Sequence, residues 1–332
     1  MQRKICLFII NQKRTSYSFF NLGTISFKQI NDRKDYLKKG YFCITDWKDE
    51  EIGDKLTFVT KSLLNKINLK EIYRGAFIKK DNAITCPNIA KCINNFNKLT
   101  AFIQEDVLSY NTPNKRAKIF EKWIQVADYC KTNRNYSDCL AIYSALNNYL
   151  IVNKLKLTIK ALSPKAKSLF EQIGKFSSCI GNYKKVREEM NLCERNGKTF
   201  IPYLGMLLRD INFIEESSKY INEKGCINIE KIEKINSTIE KYFRYQTNEN
   251  DINKKYKNIP ELNFLENLEV SSEEDLEKLA EKIEPVFKLD KSEEKRYTII
   301  DKKYFEKYKP NKPNMKIKGI SMRSQSVSFN YI

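Results

Sequence analysis

The stretch RAKIFEKWIQVADYCKTNRNYSDCLAIYSALN occupies residues 116–147. Within it Ile119, Phe120, Trp123, Ile124, Ala127 and Cys130 recur at three-to-four spacing, with charged and polar residues between them, which predicts an amphipathic helix over Arg116 to Cys130. Leu140, Tyr143, Leu146 and Leu150 carry the same spacing onward. Outward from this block the pattern persists. Leu56, Val59, Leu63 and Leu64 give one apolar face in a helical region that begins near Ile52, and Ala166, Leu169, Phe170, Ile173 and Phe176 give another. Strand-like alternation is almost absent, so the fold class is all-α, a single large helical domain over 52–288.

Two later segments are predicted to pair. Pro202 can occupy the first turn of a helix, where its missing N–H leaves nothing unsatisfied, and the apolar face then runs Leu204, Leu207, Leu208, Ile211, Ile214. A second helix, Ile229 to Gln246, uses Ile232, Ile235, Ile239, Tyr242 and Phe243. The polar link 217–228 contains Gly225, and together the two helices make a hairpin over 203–246. A last helix is signalled at Ser271-Ser272-Glu273-Glu274, a hydroxyl cap followed by acidic first-turn residues, and ends before Pro285. Residues 1–51 are a short, weakly periodic extension, and 289–332 form a basic tail in which positions 301–332 hold eight Lys/Arg against two acidic residues.

Composition removes much ordinary enzymology. With 332 residues, 41% hydrophobic, the chain can bury a substantial core. It contains no His, which eliminates imidazole general bases, Ser-His and Cys-His pairs, and zinc sites that need His. The nine Cys form no C-x-x-C pair and read as reduced thiols of a cytosolic protein. Gly197-Lys198-Thr199 resembles the end of a phosphate loop, but Leu192 stands where the leading Gly is required. Adjacent carboxylates such as Glu188-Glu189 and Glu215-Glu216 diverge by about 100° on a helix and cannot share one site. No cofactor and no metal are expected. The net charge of +19 attracts nucleic acid and anionic membrane alike, yet Lys outnumbers Arg 48 to 12, which disfavours base and phosphate reading. A chain of this kind acts by binding another macromolecule.

Seven ordered blocks then resemble the catalytic domain of Ras-family guanine-nucleotide exchange factors: LTFVTKSLLNKINLKEIY, CPNIAKCINNFNKLTAFI, the opening block, NYKKVREEM, IPYLGMLLRDINFIEES, INIEKIEKINSTIEKYFRYQ and SSEEDLEKLAEKIEP. The resemblance implies an all-α fold and an exchange catalyst that releases GDP from a Ras-subfamily small GTPase (Ras, Rap or Ral-like) without covalent chemistry. It also implies that the hairpin is the wedge beside the nucleotide site. By position Glu216 would be the anionic wedge residue, and Asn212, one turn earlier, stands where the family places a small or apolar side chain. Ser217 replaces a Gly. A pocket for an aromatic residue of the GTPase would use Ile93, Leu140, Tyr183 and Tyr203, with Asn147, Arg209 and Phe213 joining the GTPase-binding set. Arg116 and Lys154 read as structural. Residues 1–51 are too few for the N-terminal helical module that most family members carry, so this segment supplies a reduced brace, another chain does, or the hairpin moves freely.

Two other readings stay open: a scaffold of the same fold that binds a GTPase without discharging it, and a basic helical protein binding anionic membrane or RNA through its tail. The expected location is cytoplasmic, with the tail a candidate for peripheral membrane contact, or the host cytosol for a bacterial effector.

Overall fold

In a computed structural model the described residues are 44–78, 82–221, 225–243, 265, 266, 268 and 270–284. Among them the regular structure is helical, with two isolated β-bridges, Asn135 with Ile201 and Ile221 with Ile227. The numbered helices are α1 (Asp49–Leu64), α2 (Pro87–Leu108), α3 (Pro113–Thr132), α4 (Tyr136–Leu146), α5 (Lys156–Ala161), α6 (Pro164–Ser177), α7 (Lys184–Arg195), α8 (Leu204–Ser217), α9 (Ile229–Phe243) and α10 (Glu273–Ile283). Short helical turns intervene at Leu69–Glu71, Tyr73–Ile78, Asn82–Thr85 and Tyr149–Val152.

Helix α3 is the axis of the fold. Thr112 caps its N-terminus by accepting from the Lys115 N–H, and Pro113 fills the first position, where a donor would be orphaned anyway. Its residues Arg116, Ala117, Ile119, Phe120, Trp123, Ile124, Val126, Ala127 and Cys130 are all buried, too many for one stripe. The cause is the packing: α1, α2, α4, α5 and α6 surround it on several sides. Trp123, fully buried, donates its indole N–H to Asp106 of α2 at 2.8 Å and meets Phe102 edge-on, so its one polar atom is satisfied.

Arg116 confirms its structural reading. Its side chain is 1% exposed, and its guanidinium donates to Thr158 Oγ1 at 2.8 Å, to the Tyr110 carbonyl at 2.7 Å and to Glu284 at 2.6 Å. Glu284, just past α10, also accepts from the Leu157 and Thr158 backbone N–H groups at the first turn of α5. A charge buried this deeply persists because each nitrogen of the guanidinium has an acceptor and the carboxylate accepts from further donors. Lys154 likewise pairs with Glu281 of α10 at 2.8 Å.

Several expected boundaries move. Ile44 is 1% exposed and α1 starts at Asp49, so core packing begins upstream of residue 52. Helix α4 ends at Leu146, because Asn147 and Asn148 interrupt it and Asn148 caps a separate turn that holds Leu150. Pro202 lies outside α8, one residue before the N-cap Tyr203. The end of the second hairpin helix at Gln246, residues 285–288, the extension 1–43 and the basic tail 289–332 fall outside the described residues. The seven described cysteines are all free thiols.

Candidate functional site

The paired helices expected over 203–246 are present within the described residues: α8 and α9 pack against each other, and Leu207, Leu208 and Ile211 of the first and Ile235 and Ile239 of the second are buried. Three sets of polar contacts fix the pair to itself and to the core. At the base, Asp210 receives a two-pronged ion pair from Arg187 of α7 at 2.8 and 2.9 Å, and also accepts from the Tyr242 hydroxyl of α9 and the Asn182 amide. Arg187 closes the ring by donating Nε–H to the Asn182 carbonyl. Along the side, the turn Tyr73–Ile78 packs on α8, and the Tyr73 hydroxyl donates to Asn236 of α9. At the tip, Lys231 is 2% exposed and pairs with Glu215 at 2.9 Å, donates to the carbonyls of Glu215 and Ser218, and sits 4.4 Å from the Tyr220 ring centroid. Tyr220 in turn donates its hydroxyl to Glu215 at 2.6 Å.

The adjacent carboxylates therefore part company as helical geometry demands. Glu215 turns inward to the tip lysine, whereas Glu216 is exposed, with its carboxylate accepting from the Asn212 amide at 3.0 Å. Arg209, Asn212, Phe213 and Glu216 fall at i, i+3, i+4 and i+7, one stripe along the outer side of α8. Phe213 is 74% exposed on that stripe, a large aromatic with no core to fill.

Beside the base of α8 lies an apolar depression whose lining includes Leu63, Cys92, Ile93, Phe96, Tyr203 and Leu208. Tyr203 anchors it: its ring lies 5.1 Å from Phe96 and 5.7 Å, edge-on, from Tyr183. Gly205 makes that placement possible, since a Cβ there would stand 2.5 Å from the tyrosine ring. Tyr183 is held close by a left-handed backbone (φ 58°) at the N-cap of α7. Burial pushes the Tyr183 and Tyr203 phenols up from their ordinary range, so both present neutral hydroxyls.

The structure thus gathers Ile93, Tyr203 and Tyr183 but not Leu140. That residue is 3% exposed in the core and does not line the depression; the first turn of α4 contributes Ser137 and Asp138 instead. Asp138 is fully buried and accepts from the Thr60 hydroxyl and the Asn135 amide, with burial pushing its carboxyl up to about 7. Asn147 is exposed at the C-cap of α4, and Arg209 is exposed on the stripe. Sequence reasoning missed Leu63, Phe96 and Leu208 as lining residues, and missed the Arg187–Asp210 and Lys231–Glu215 clamps. Y-L-G at 203–205 is the one local signal, a ring needing a glycine two residues on. Among the described residues no group of His, Cys, Asp or Glu could hold a metal ion, and no helix is long and apolar enough to cross a membrane.

The RasGEF domain model matches residues 51–233. Similar proteins include Ras-specific guanine nucleotide-releasing factor 2 of Mus musculus, 31% identical over 243 residues, which are 73% of this chain and 20% of that one. Ras-specific guanine nucleotide-releasing factor 1 of Rattus norvegicus is 32% identical over 196 residues, 59% of this chain and 15% of that one. Ras guanine nucleotide exchange factor M of Dictyostelium discoideum is 27% identical over 250 residues, 72% and 26% of the respective chains. The chain thus spans between about a seventh and a quarter of the length of these curated relatives.

Proposed function

The chain belongs to the RasGEF family, and from that premise we propose that it is a guanine-nucleotide exchange factor, releasing GDP from a Ras-subfamily small GTPase by seating its α8–α9 hairpin beside the nucleotide site. The observation that carries this reading is the stripe of exposed Arg209, Phe213 and Glu216, with half-buried Asn212 among them, on a helix whose base borders an apolar depression. A partner can be gripped at the depression while the stripe reaches a second region of the same surface. Phe213 and the Tyr203 side of the depression supply the aromatic anchors such an interface needs.

Exchange is then a coupling of two binding events. Nucleotide with its Mg²⁺ favours one GTPase conformation and the hairpin favours another, so each weakens the other by the same free energy. The carboxylate of Glu216 offers negative charge where the phosphates leave a positive loop and metal site behind. For it to reach inward, the Asn212 hydrogen bond must open, a modest loss of about 1 kcal/mol for an exposed contact. The Arg187–Asp210 and Tyr73–Asn236 contacts supply bracing from within residues 73–243, so a long N-terminal module is not the sole means of holding the hairpin.

The test is release of fluorescent GDP from a panel of Ras, Rap and Ral proteins. The full chain is expected to accelerate release from at least one, and Glu216→Ala to slow that acceleration severalfold or more. Stable complexes with unchanged release across the panel would make the chain a GTPase-binding scaffold instead. Cytoplasmic residence and transient membrane contact through the basic residues of 289–332 accompany the proposal. A lipid role for that tail predicts binding to anionic but not neutral vesicles.

A further inference from the structure

On the far side of the loop that leads into α8, a crevice of about 260 Å³ opens between the C-terminal ends of α3 and α7. Lys131, Arg134 and Lys198 line it, with Glu189 the one carboxylate among the lining residues. None of these three cations forms an ion pair among the described residues: Arg134 spends one N–H on the Thr199 carbonyl at 2.9 Å, and Lys131 lies 5.2 Å from the Phe176 ring centroid.

Basic residues often gather at helix C-termini simply to satisfy the last carbonyls. Here that work is already done by backbone. The carbonyls of Tyr129, Cys130 and Lys131 at the end of α3 accept from the N–H groups of Asn133, Asn135 and Arg134. Those of Leu192, Cys193 and Glu194 at the end of α7 accept from Asn196, Lys198 and Gly197. Three cations with no helix-end carbonyl to serve and no ion-pair partner line one concavity, and Thr132 and Asn196 are neutral polar residues of the same lining. We propose that this crevice binds a phosphate-bearing anion, held by Lys131, Arg134 and Lys198, the phosphate being that of a soluble organic phosphate or of a lipid headgroup.

The crevice also touches the hairpin's support. Ile201 donates to the Arg134 carbonyl at 2.9 Å, Tyr136 donates to the Ile201 carbonyl at 3.0 Å, and three residues after Ile201 α8 begins. An anion bridging Arg134 and Lys198 would join the α3–α4 loop to the segment feeding the hairpin and slow its opening.

The experiment titrates the full chain by calorimetry, at constant ionic strength, with pyrophosphate and with inositol 1,4,5-trisphosphate, and separately with vesicles containing phosphatidylinositol 4,5-bisphosphate. Expected is saturable binding to at least one probe, weakened tenfold or more by Lys131→Gln with Lys198→Gln, and unchanged by Lys118→Gln with Lys165→Gln, two exposed lysines outside the crevice. Bound probe should also slow amide exchange at 199–201. Binding of soluble probes alone assigns a free phosphate ligand, and binding of vesicles alone assigns a headgroup; each supports the site when it depends on the crevice lysines. Absence of saturable binding to every probe, or equal loss in both double variants, would overturn it and leave only the general attraction of a chain with net charge +19. Neither outcome depends on nucleotide exchange, so the two proposals fail separately.

Discussion

Replacing Lys231 with Met should loosen the hairpin tip while leaving the core intact. The ammonium is 2% exposed and serves three acceptors at once: the Glu215 carboxylate at 2.9 Å, the Glu215 carbonyl at 2.9 Å and the Ser218 carbonyl at 2.5 Å. Removing one member of a buried pair and stranding the other costs about 3–5 kcal/mol. The lower end applies here, because Glu215 keeps the Tyr220 hydroxyl and its side chain is 12% exposed, so water can reach it once the tip relaxes. About 3 kcal/mol is two decades in an equilibrium constant. Hydrogen exchange followed by mass spectrometry on the full chain should therefore show about a hundredfold loss of protection at 212–220 and 228–232. Amides of α3 should not change, since α3 has no part in the clamp. Adding Glu215→Gln removes the stranded charge and should restore part of the loss. Unchanged protection at the tip in Lys231→Met would refute the assignment of the clamp. An equal loss across α3 would refute its local character.

Arg116→Met strands Glu284 in the core and should lower stability by about 3–5 kcal/mol, read as a fall in thermal midpoint; converting Glu284 to Met as well should recover much of it. Gly205→Ala forces the buried Tyr203 ring off α8 and should destabilise by about 1–3 kcal/mol in denaturant unfolding, with weaker binding to any GTPase that uses the depression; an unaltered midpoint would contradict the 2.5 Å approach. Burial pushes the Asp106 carboxyl up to about 7 against the pull of the Trp123 hydrogen bond, so the folded state holds that proton more tightly than the unfolded chain. The group is harmless below its ordinary value of 3.8 and destabilises increasingly as pH rises to about 7. Asp106→Asn, which keeps an acceptor for Trp123, should gain stability over the parent by up to a few kcal/mol at pH 8, and the gain should vanish near pH 4; a pH-independent difference in urea midpoints would count against it.

Legibility in the sequence tracked periodicity. The helices around 116–130, 166–176, 204–214 and 229–243 were written in apolar spacing, and the hairpin followed from two such faces joined by a polar link. What spacing does not encode is which buried face meets which. Leu140 shares its period with pocket-forming residues yet points into the core, because α4 offers the depression only its first turn. The clamps escaped for a related reason: Arg187 and Asp210, or Glu215 and Lys231, are charged residues on helices, and in sequence a buried pair looks like two solvated ones. Asn147-Asn148 ended α4 where an unbroken apolar period ran on, since the Asn148 side chain caps a new turn there by accepting from the Leu150 N–H.

The bond between Arg116 and Glu284 spans 168 positions of chain. On the ribosome, the guanidinium is made long before its counter-carboxylate, so the nascent central helix cannot seal its last charge until nearly the whole described region has emerged. Completion of this domain is thereby tied to the end of its own synthesis, and chains halted before residue 284 would carry an open, hydrated seam through their middle.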